Sequence, residues 1–369
     1  MWDIAIIGTG LAGLSCMRQL KASGQQVCIL DKSRGLGGRM ATRRVTGPIR
    51  VDHGLRYWPS EASAPELAPL THELIEAGVL KPWAVSAYEL QADDRLVQVE
   101  QDPVYVASSG MSAIAKYLAQ GFVPDETLLT EYRAIDISPY GQPDDIGWRI
   151  ECEGGKVVMA RKCAIAIPAA QAADLLATCP AETFSEMVLE KSSTPSASPI
   201  EQLRAVDYYP RLTVLAGYGQ PDKNPLDMGK LNPDGWMVTD TIGTSTEWIG
   251  LDSSKRAIAA DGSKPETTLV IHSKTGFAEK YLDAGDLQPA ASALLRANAR
   301  KYGDWIAQPS WFHIHRWRDA VVRQPHPADT LIAAPTLVCG GDWCVSRPVA
   351  YPITAAYRSG QAMAQALIT

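Results

Sequence analysis

Continuous apolar runs alternate with helical stretches near the two ends of the chain, while its middle carries shorter runs separated by polar turns. Residues 3–7 form an uninterrupted, mostly apolar run, the pattern of a strand buried on both faces of a parallel sheet. A glycine-rich turn follows at once. Helical spacing then runs over residues 11–22 and stops at Gly24, and a second buried strand over 27–30 ends on Asp31. Together these make a βαβ unit of about thirty residues. Further along, the spacing predicts helices over 67–77 and 108–119 and strands over 95–99, 127–137 and 157–167. Between 212 and 271 come separated β-like runs, including 212–216 and 269–271, which suit an antiparallel sheet. A Ser/Pro-rich loop is expected at 192–199 and a polar turn at 261–266. The last buried strand is 337–339, followed by a helix of small residues over 352–367.

These elements predict an α/β fold: a Rossmann-type nucleotide-binding domain with an inserted mixed, largely antiparallel α+β substrate domain. The first is expected from residues 1–57, 108–170 and 326–369, the second from 58–107 and 171–325. At 369 residues the chain is long enough for two joined domains.

Charge narrows the partners. The net charge is −6 and no Lys/Arg run exceeds a pair such as Arg43 and Arg44, so no footprint for nucleic acid or an anionic membrane is present. The seven cysteines are scattered without a paired CxxC spacing, and no metal site is expected. No basic leader precedes the first strand and no apolar stretch approaches the ~20 residues of a spanning helix, so the expected compartment is the cytoplasm.

The turn after the first strand carries Gly8, Gly10 and Gly13, with Leu11 and Ala12 opening the helix. Gly8 permits the tight turn, Gly10 removes a side chain that would block a pyrophosphate, and Gly13 lets helix and strand approach. Free N–H groups at the helix start then face the phosphates. Asp31, eighteen residues after Gly13, is placed to accept hydrogen bonds from ribose hydroxyls. FAD and NAD use this same cradle, so it does not choose between them.

Directly after Asp31 stand Lys32, a second glycine pair at Gly37 and Gly38, then Arg39 and Met40. Far along the chain, Cys339, Gly340, Gly341 and Asp342 follow a buried strand and precede the small-residue helix, with Pro352 and Ile353 in its first turn. In both places the sequence resembles the flavin amine-oxidase superfamily. The resemblance implies non-covalently bound FAD, with Lys32, Gly38, Arg39, Met40, Gly341, Asp342 and Ile353 beside it. It also implies that the late helix points its start at the flavin edge that becomes negative on reduction.

Within that superfamily the chain resembles the renalase branch. Asp52, His53, Gly54, Leu55, Arg56 and Tyr57 are similar to a renalase string that passes beside the flavin, and Ala134 falls where a strand usually meets the adenine. Residues 252–256, 269–272 and 316–318 recur in renalase-like order. The implied reaction takes a hydride from 2-dihydro or 6-dihydro isomers of NAD(P) and passes the electrons to O2, giving NAD(P)+ and hydrogen peroxide. Its partners are therefore that small-molecule nucleotide and O2. Leu55 and Arg56 depart from the branch, which has Ala and Gln there; an Arg at that place can pair with a nucleotide phosphate or reshape the pocket for another acidic substrate.

Hydride transfer to a flavin needs little acid–base machinery. The candidate catalytic residues are accordingly positioning ones: His272, as a pocket wall or a buried histidine satisfied by backbone; Tyr57, as a flavin wall or core residue; and Arg56. Trp236 and Trp248 are candidates for stacking on a planar substrate or for the core. Arg256 and Arg318 are candidates for phosphate recognition or for surface ion pairs. An amine oxidase, a desaturase and a non-catalytic flavin-binding redox sensor remain as alternatives.

Overall fold

The structure is a computed structural model that describes residues 1–93, 95–142, 145–180, 183, 197–219, 231–256 and 265–368. Most of the expected 192–199 loop and 261–266 turn therefore lies outside the described residues. Contacts divide the chain into two compact units, Met1–Gly38, Ala115–Asp207 and Val322–Thr369 in one, Arg39–Ile114 and Tyr208–Val321 in the other.

The first unit is built on the expected βαβ start. The strand Trp2–Ile7 pairs in parallel with Val27–Asp31, setting Ile4 against Val27 and Ile7 against Leu30. Between them the helix Leu11–Ala22 buries Leu11, Leu14, Met17 and Leu20. That spacing gives one apolar stripe, which is why the segment coils over the sheet. On its other side Trp2–Ile7 pairs in parallel with Lys156–Ile165. The latter strand is forked along its far edge. Residues 156–160 pair antiparallel with Asp145–Cys152, and residues 163–165 pair in parallel with Leu337–Cys339. The helix Pro352–Ile368 closes against Leu11–Ala22, where a Cβ on Gly360 would lie 2.3 Å from the Ala12 carbonyl oxygen.

The expected strand 127–137 is two strands, Leu128–Thr130 and Ala134–Gln142. Glu131 breaks it with φ of 61°, a left-handed conformation no strand accommodates. The turn is tied down, since Tyr132 N–H donates to the Asp31 carbonyl at 2.9 Å.

The second unit carries a seven-stranded sheet in the order Trp311–Gln324, Asp207–Gly217, Thr268–Ser273, Thr246–Leu251, Trp236–Asp240, Ser86–Leu90 and Leu96–Val99. From Asp207–Gly217 onward its neighbours pair antiparallel, except Trp236–Asp240 with Ser86–Leu90, which run parallel. Alternation sorts the side chains. Val214, Ile249, Leu269 and Ile271 pack beneath the helix Gln288–Tyr302, against Leu294, Leu295 and Ala299, with Phe312 and Ile314 joining them. The residues one step along each strand, among them Thr213, Trp248 and His272, therefore occupy the other face.

The division differs from the expected one in four segments. Residues 39–57 and 108–114 belong to the second unit because Asp52 Oδ1 accepts from Thr42 Oγ1 at 2.6 Å and from Met111 N–H at 2.9 Å, while Arg256 holds its other oxygen. Residues 171–207 belong to the first, where the helix Ala169–Leu176 is followed by Thr178, whose hydroxyl accepts from the Ile137 N–H at 3.1 Å. Residues 322–325 also fall in the first unit, with the bond from His326 N–H to the Trp343 carbonyl at 2.8 Å just beyond them.

Candidate active site

In the first unit each glycine of the opening turn has a steric reason. Gly8 has φ of 109°, and a Cβ there would lie 2.5 Å from the Ala166 carbonyl oxygen. On Gly13 a Cβ would lie 1.9 Å from the Gly8 carbonyl oxygen, so the helix start presses directly onto the turn. At Gly10 the reason is reversed, because nothing lies within 4 Å of where its Cβ would be. Gly10 is also the N-cap of the helix, with no side-chain cap and no acid in the first turn. Uncapped N–H groups beside open space suit a phosphate.

Asp31 reinforces this turn. Its Oδ2 accepts from the Thr9 N–H at 2.8 Å and the Thr9 hydroxyl at 2.6 Å, and its Oδ1 accepts from the Ser33 N–H at 2.8 Å. The second glycine pair closes over the first: the Gly37 N–H donates to the Thr9 carbonyl at 3.0 Å, and Gly38 stands with a Cβ position 3.6 Å from Gly10 Cα. Ala134 begins its strand just after the turn bonded to Asp31. Lys32 reaches Gln171 instead, donating to its side-chain oxygen at 2.8 Å. Around the late helix, the Gly341 N–H donates to Ser359 Oγ at 2.9 Å, and Asp342 and Ile353 are buried.

Arg39, Met40, Arg56 and Tyr57 fall in the second unit. Met40 is buried, and Arg39 donates to the carbonyls of Asp319 and Ala320 at 3.4 Å each. Arg56 and His272 are brought together on the sheet face away from the helix Gln288–Tyr302. Arg56 Nε donates to His272 Nδ1 at 3.1 Å, and Arg56 Nη2 donates to Glu247 Oε1 at 2.6 Å. Arg211 grips the other oxygen of Glu247. The Arg56 guanidinium lies 5.1 Å from the Trp248 ring centroid, and that ring lies 5.3 Å from the His272 ring.

The electrostatics follow from this packing. Burial pushes the His272 imidazole well below its ordinary pKa, and Arg56, Arg211, Lys255 and His53 push it the same way, so it is neutral. Burial raises the Glu247 carboxyl, but the two guanidiniums outweigh it and hold the group below the usual carboxylate range. Arg211 is pushed down to about 10 by burial and by Arg56, and stays charged at neutral pH. Two cations thus face one anion.

His272 is 2% exposed and lies beside Arg56, whose side chain is 22% exposed. Among the described residues no backbone group bonds its ring: Nδ1 accepts from Arg56 and Nε2 has no partner. Trp236 belongs to the core under the helix, and Trp248 is covered by Arg56, so neither offers a face for stacking. Arg256 is consumed inside the protein: Nη2 bridges Asp52 at 2.9 Å and Asp252 at 2.8 Å, with buried Lys255 2.7 Å from Asp252. Arg318 is half-exposed and pairs with Asp283 at 2.9 Å. Glu247 and Arg211 were missed by sequence reasoning; the available signal was a charge inside an otherwise apolar strand run. Among the described residues no group of three or more His, Cys, Asp or Glu could hold a metal ion, and no helix is long and apolar enough to cross a membrane.

A dinucleotide cradle joined in one chain to a mixed sheet with a buried polar cluster defines a nucleotide-cofactor oxidoreductase fold. The chain belongs to the flavin-containing amine oxidoreductase family, whose model matches residues 84–368. An NAD(P)-binding Rossmann-like domain matches residues 6–74. Among solved structures it is similar to a putrescine oxidase A394C mutant, at 11% identity and TM-score 0.70, covering 100% of this chain and 98% of that one. Cyclohexylamine oxidase from Brevibacterium oxydans IH-35A matches at 14% identity and TM-score 0.67, covering 100% of both chains. A putative protoporphyrinogen oxidase from Exiguobacterium sp. 255-15 matches at 13% and 0.65, covering 98% of this chain and 97% of that one. The cofactor is FAD, and the open space at Gly10 beside an uncapped helix start fits its diphosphate.

Proposed function

We propose that the protein is an oxidase of dihydronicotinamide isomers, the 2-dihydro or 6-dihydro forms of NAD(P), as in the renalase branch. The observation that carries this reading is the surplus positive charge where Arg56 and Arg211 face the single carboxylate of Glu247. Such a site attracts the phosphates of a nucleotide and repels an ammonium group. Net, the dihydronicotinamide, a proton and O2 give NAD(P)+ and hydrogen peroxide. Bound FAD, held non-covalently by the residues around Gly8, Gly10, Gly13, Asp31 and Gly38, supplies the ring that accepts the hydride. The chain's own part is to bind and orient the donor, since only a hydride within about 3–3.5 Å of its acceptor transfers.

Anaerobic mixing of the yellow holoprotein with a panel of donors tests the reading. Fast bleaching by a 2- or 6-dihydro isomer, and slow bleaching by the ordinary 4-dihydro form, is expected. Family membership favours amine oxidation as the second reading; bleaching by simple primary amines and by no dihydronicotinamide would establish it instead. No bleaching with any donor would favour a flavin-binding sensor.

A further inference from the structure

Arg56 stands where the renalase-like string otherwise has Gln, and its surroundings are built to aim it. A guanidinium has five N–H donors and no acceptor. The 3.1 Å bond from Arg56 Nε to His272 Nδ1 therefore requires Nδ1 to be unprotonated, which leaves the single imidazole proton on Nε2. That Nε2 is buried and has no hydrogen-bonding partner among the described residues. A buried orphan donor is unfavourable, so the fold accepts a cost in order to present Nδ1 to Arg56. Glu247 takes one Nη2 donor at 2.6 Å, and its second oxygen is gripped by Arg211. Glu247 cannot swing away without releasing both guanidiniums. Trp248 supports the group from one side at 5.1 Å. Two fixed bonds and a ring thus set the guanidinium plane, while Nη1 has no protein partner among the described residues.

We propose that Arg56 is the anion-recognition residue of this site, and that His272 and Glu247 are positioning residues that aim its outer N–H donors at a phosphate of the bound nucleotide. The identity of that anion as a dinucleotide diphosphate rests on the proposed function; the aimed guanidinium does not. His272 stays an acceptor because burial disfavours its protonation first, and Arg56, Arg211, Lys255 and His53 push the same way, while the Glu247 carboxylate is taken up by the two guanidiniums.

The test uses oxidised holoprotein and calorimetric titration with inorganic pyrophosphate, with NAD+ and with nicotinamide riboside, which has no phosphate. Arg56→Met should weaken pyrophosphate and NAD+ binding by about ten- to a hundredfold, the loss of a charge-assisted bond or two, and leave the riboside nearly unchanged. His272→Leu should weaken the same two ligands, and His272→Gln, whose amide oxygen can accept from Arg56, should restore most of the loss. In turnover the His272→Leu defect should appear in KM with kcat little changed. Pyrophosphate binding that is absent, or indifferent to Arg56→Met, overturns the proposal, as does a His272→Gln protein as weak as His272→Leu. Arg56-dependent pyrophosphate binding with no response to NAD+ would leave the anion site standing and sink the dinucleotide reading alone.

Discussion

Asp31 offers a quantitative test of the cofactor cradle. Its carboxylate has about four lone-pair directions, and three are taken by the Thr9 N–H, the Thr9 hydroxyl and the Ser33 N–H. One acceptor direction, on Oδ1, is left for a ribose hydroxyl. Replacing Asp31 with Ala removes one charge-assisted bond to the cofactor, about 1.5–3 kcal/mol, so FAD should bind about 10- to 150-fold more weakly. Thr9→Val separates the two duties of this carboxylate. It deletes only the hydroxyl donor, the Thr9 N–H still anchors the turn, and the freed lone pair stays available. FAD affinity should then change by less than about tenfold. Titration of apoprotein with FAD, followed by quenching of flavin fluorescence, measures both, and circular dichroism confirms that the fold persists. An unchanged affinity in Asp31→Ala would refute the ribose assignment. Equal losses in the two variants would show that the carboxylate acts only through the shape of the turn.

Arg256→Met should destabilise the protein by about 3–5 kcal/mol, because Asp52 and Asp252 would share buried Lys255 alone; urea unfolding followed by tryptophan fluorescence should show it, and a loss under ~1 kcal/mol would mean the cluster is solvated. Gly360→Ala should cost about 1–3 kcal/mol by overpacking, since its Cβ would meet the Ala12 carbonyl oxygen at 2.3 Å and Ser15 Cβ at 2.9 Å; a lower melting temperature checks this. His315 is lowered to about 4 by burial and by His53 and Arg43, and His272 too is held well below its ordinary value, chiefly by burial. The unfolded chain then binds more protons, so stability is complete above pH ~6.5 and falls as pH drops toward 4. His315→Phe should flatten that fall by at most about 1.4 kcal/mol per pH unit, less where its ring is solvated; an identical pH profile would contradict the assignment.

The βαβ start was legible because local rules decide it. An apolar run, three glycines and an acid are all within 31 residues, and the helix Leu11–Ala22 lies where the spacing put it. The strand Trp311–Gln324 was not legible. Its one face is apolar at Phe312 and Ile314, but the other carries Trp311, His313, His315 and Trp317, so aromatic and polar positions blur the period of two. His315 and Trp317 lie 4.2 Å apart there, and His53 packs on both, a contact spanning over 260 positions. The Arg56 cluster was half legible. His272 and Arg56 were named as separate candidates, but Glu247 lies 191 residues beyond Arg56, and the Arg211 that holds it comes from yet another strand. Charge pairing across a sheet face has no local signature. Arg256 was half hidden for the same reason: Asp252 stands four residues before it, but its second acid, Asp52, lies 204 residues away.

The forked strand Lys156–Ile165 carries a consequence for biosynthesis. Its residues 163–165 are flanked by Trp2–Ile7 on one edge and by Leu337–Cys339 on the other. While a ribosome is still extending the chain, the second edge is bare for more than 150 further residues. Cys163, Ala164 and Ile165 would then expose unpaired backbone groups in an apolar strand, the kind of edge that recruits another chain. The first unit therefore finishes folding after the second has been made, and its nascent form is a natural client for a chaperone. Truncation before Leu337 should yield aggregates rather than a smaller soluble protein, even though the whole glycine cradle would be intact.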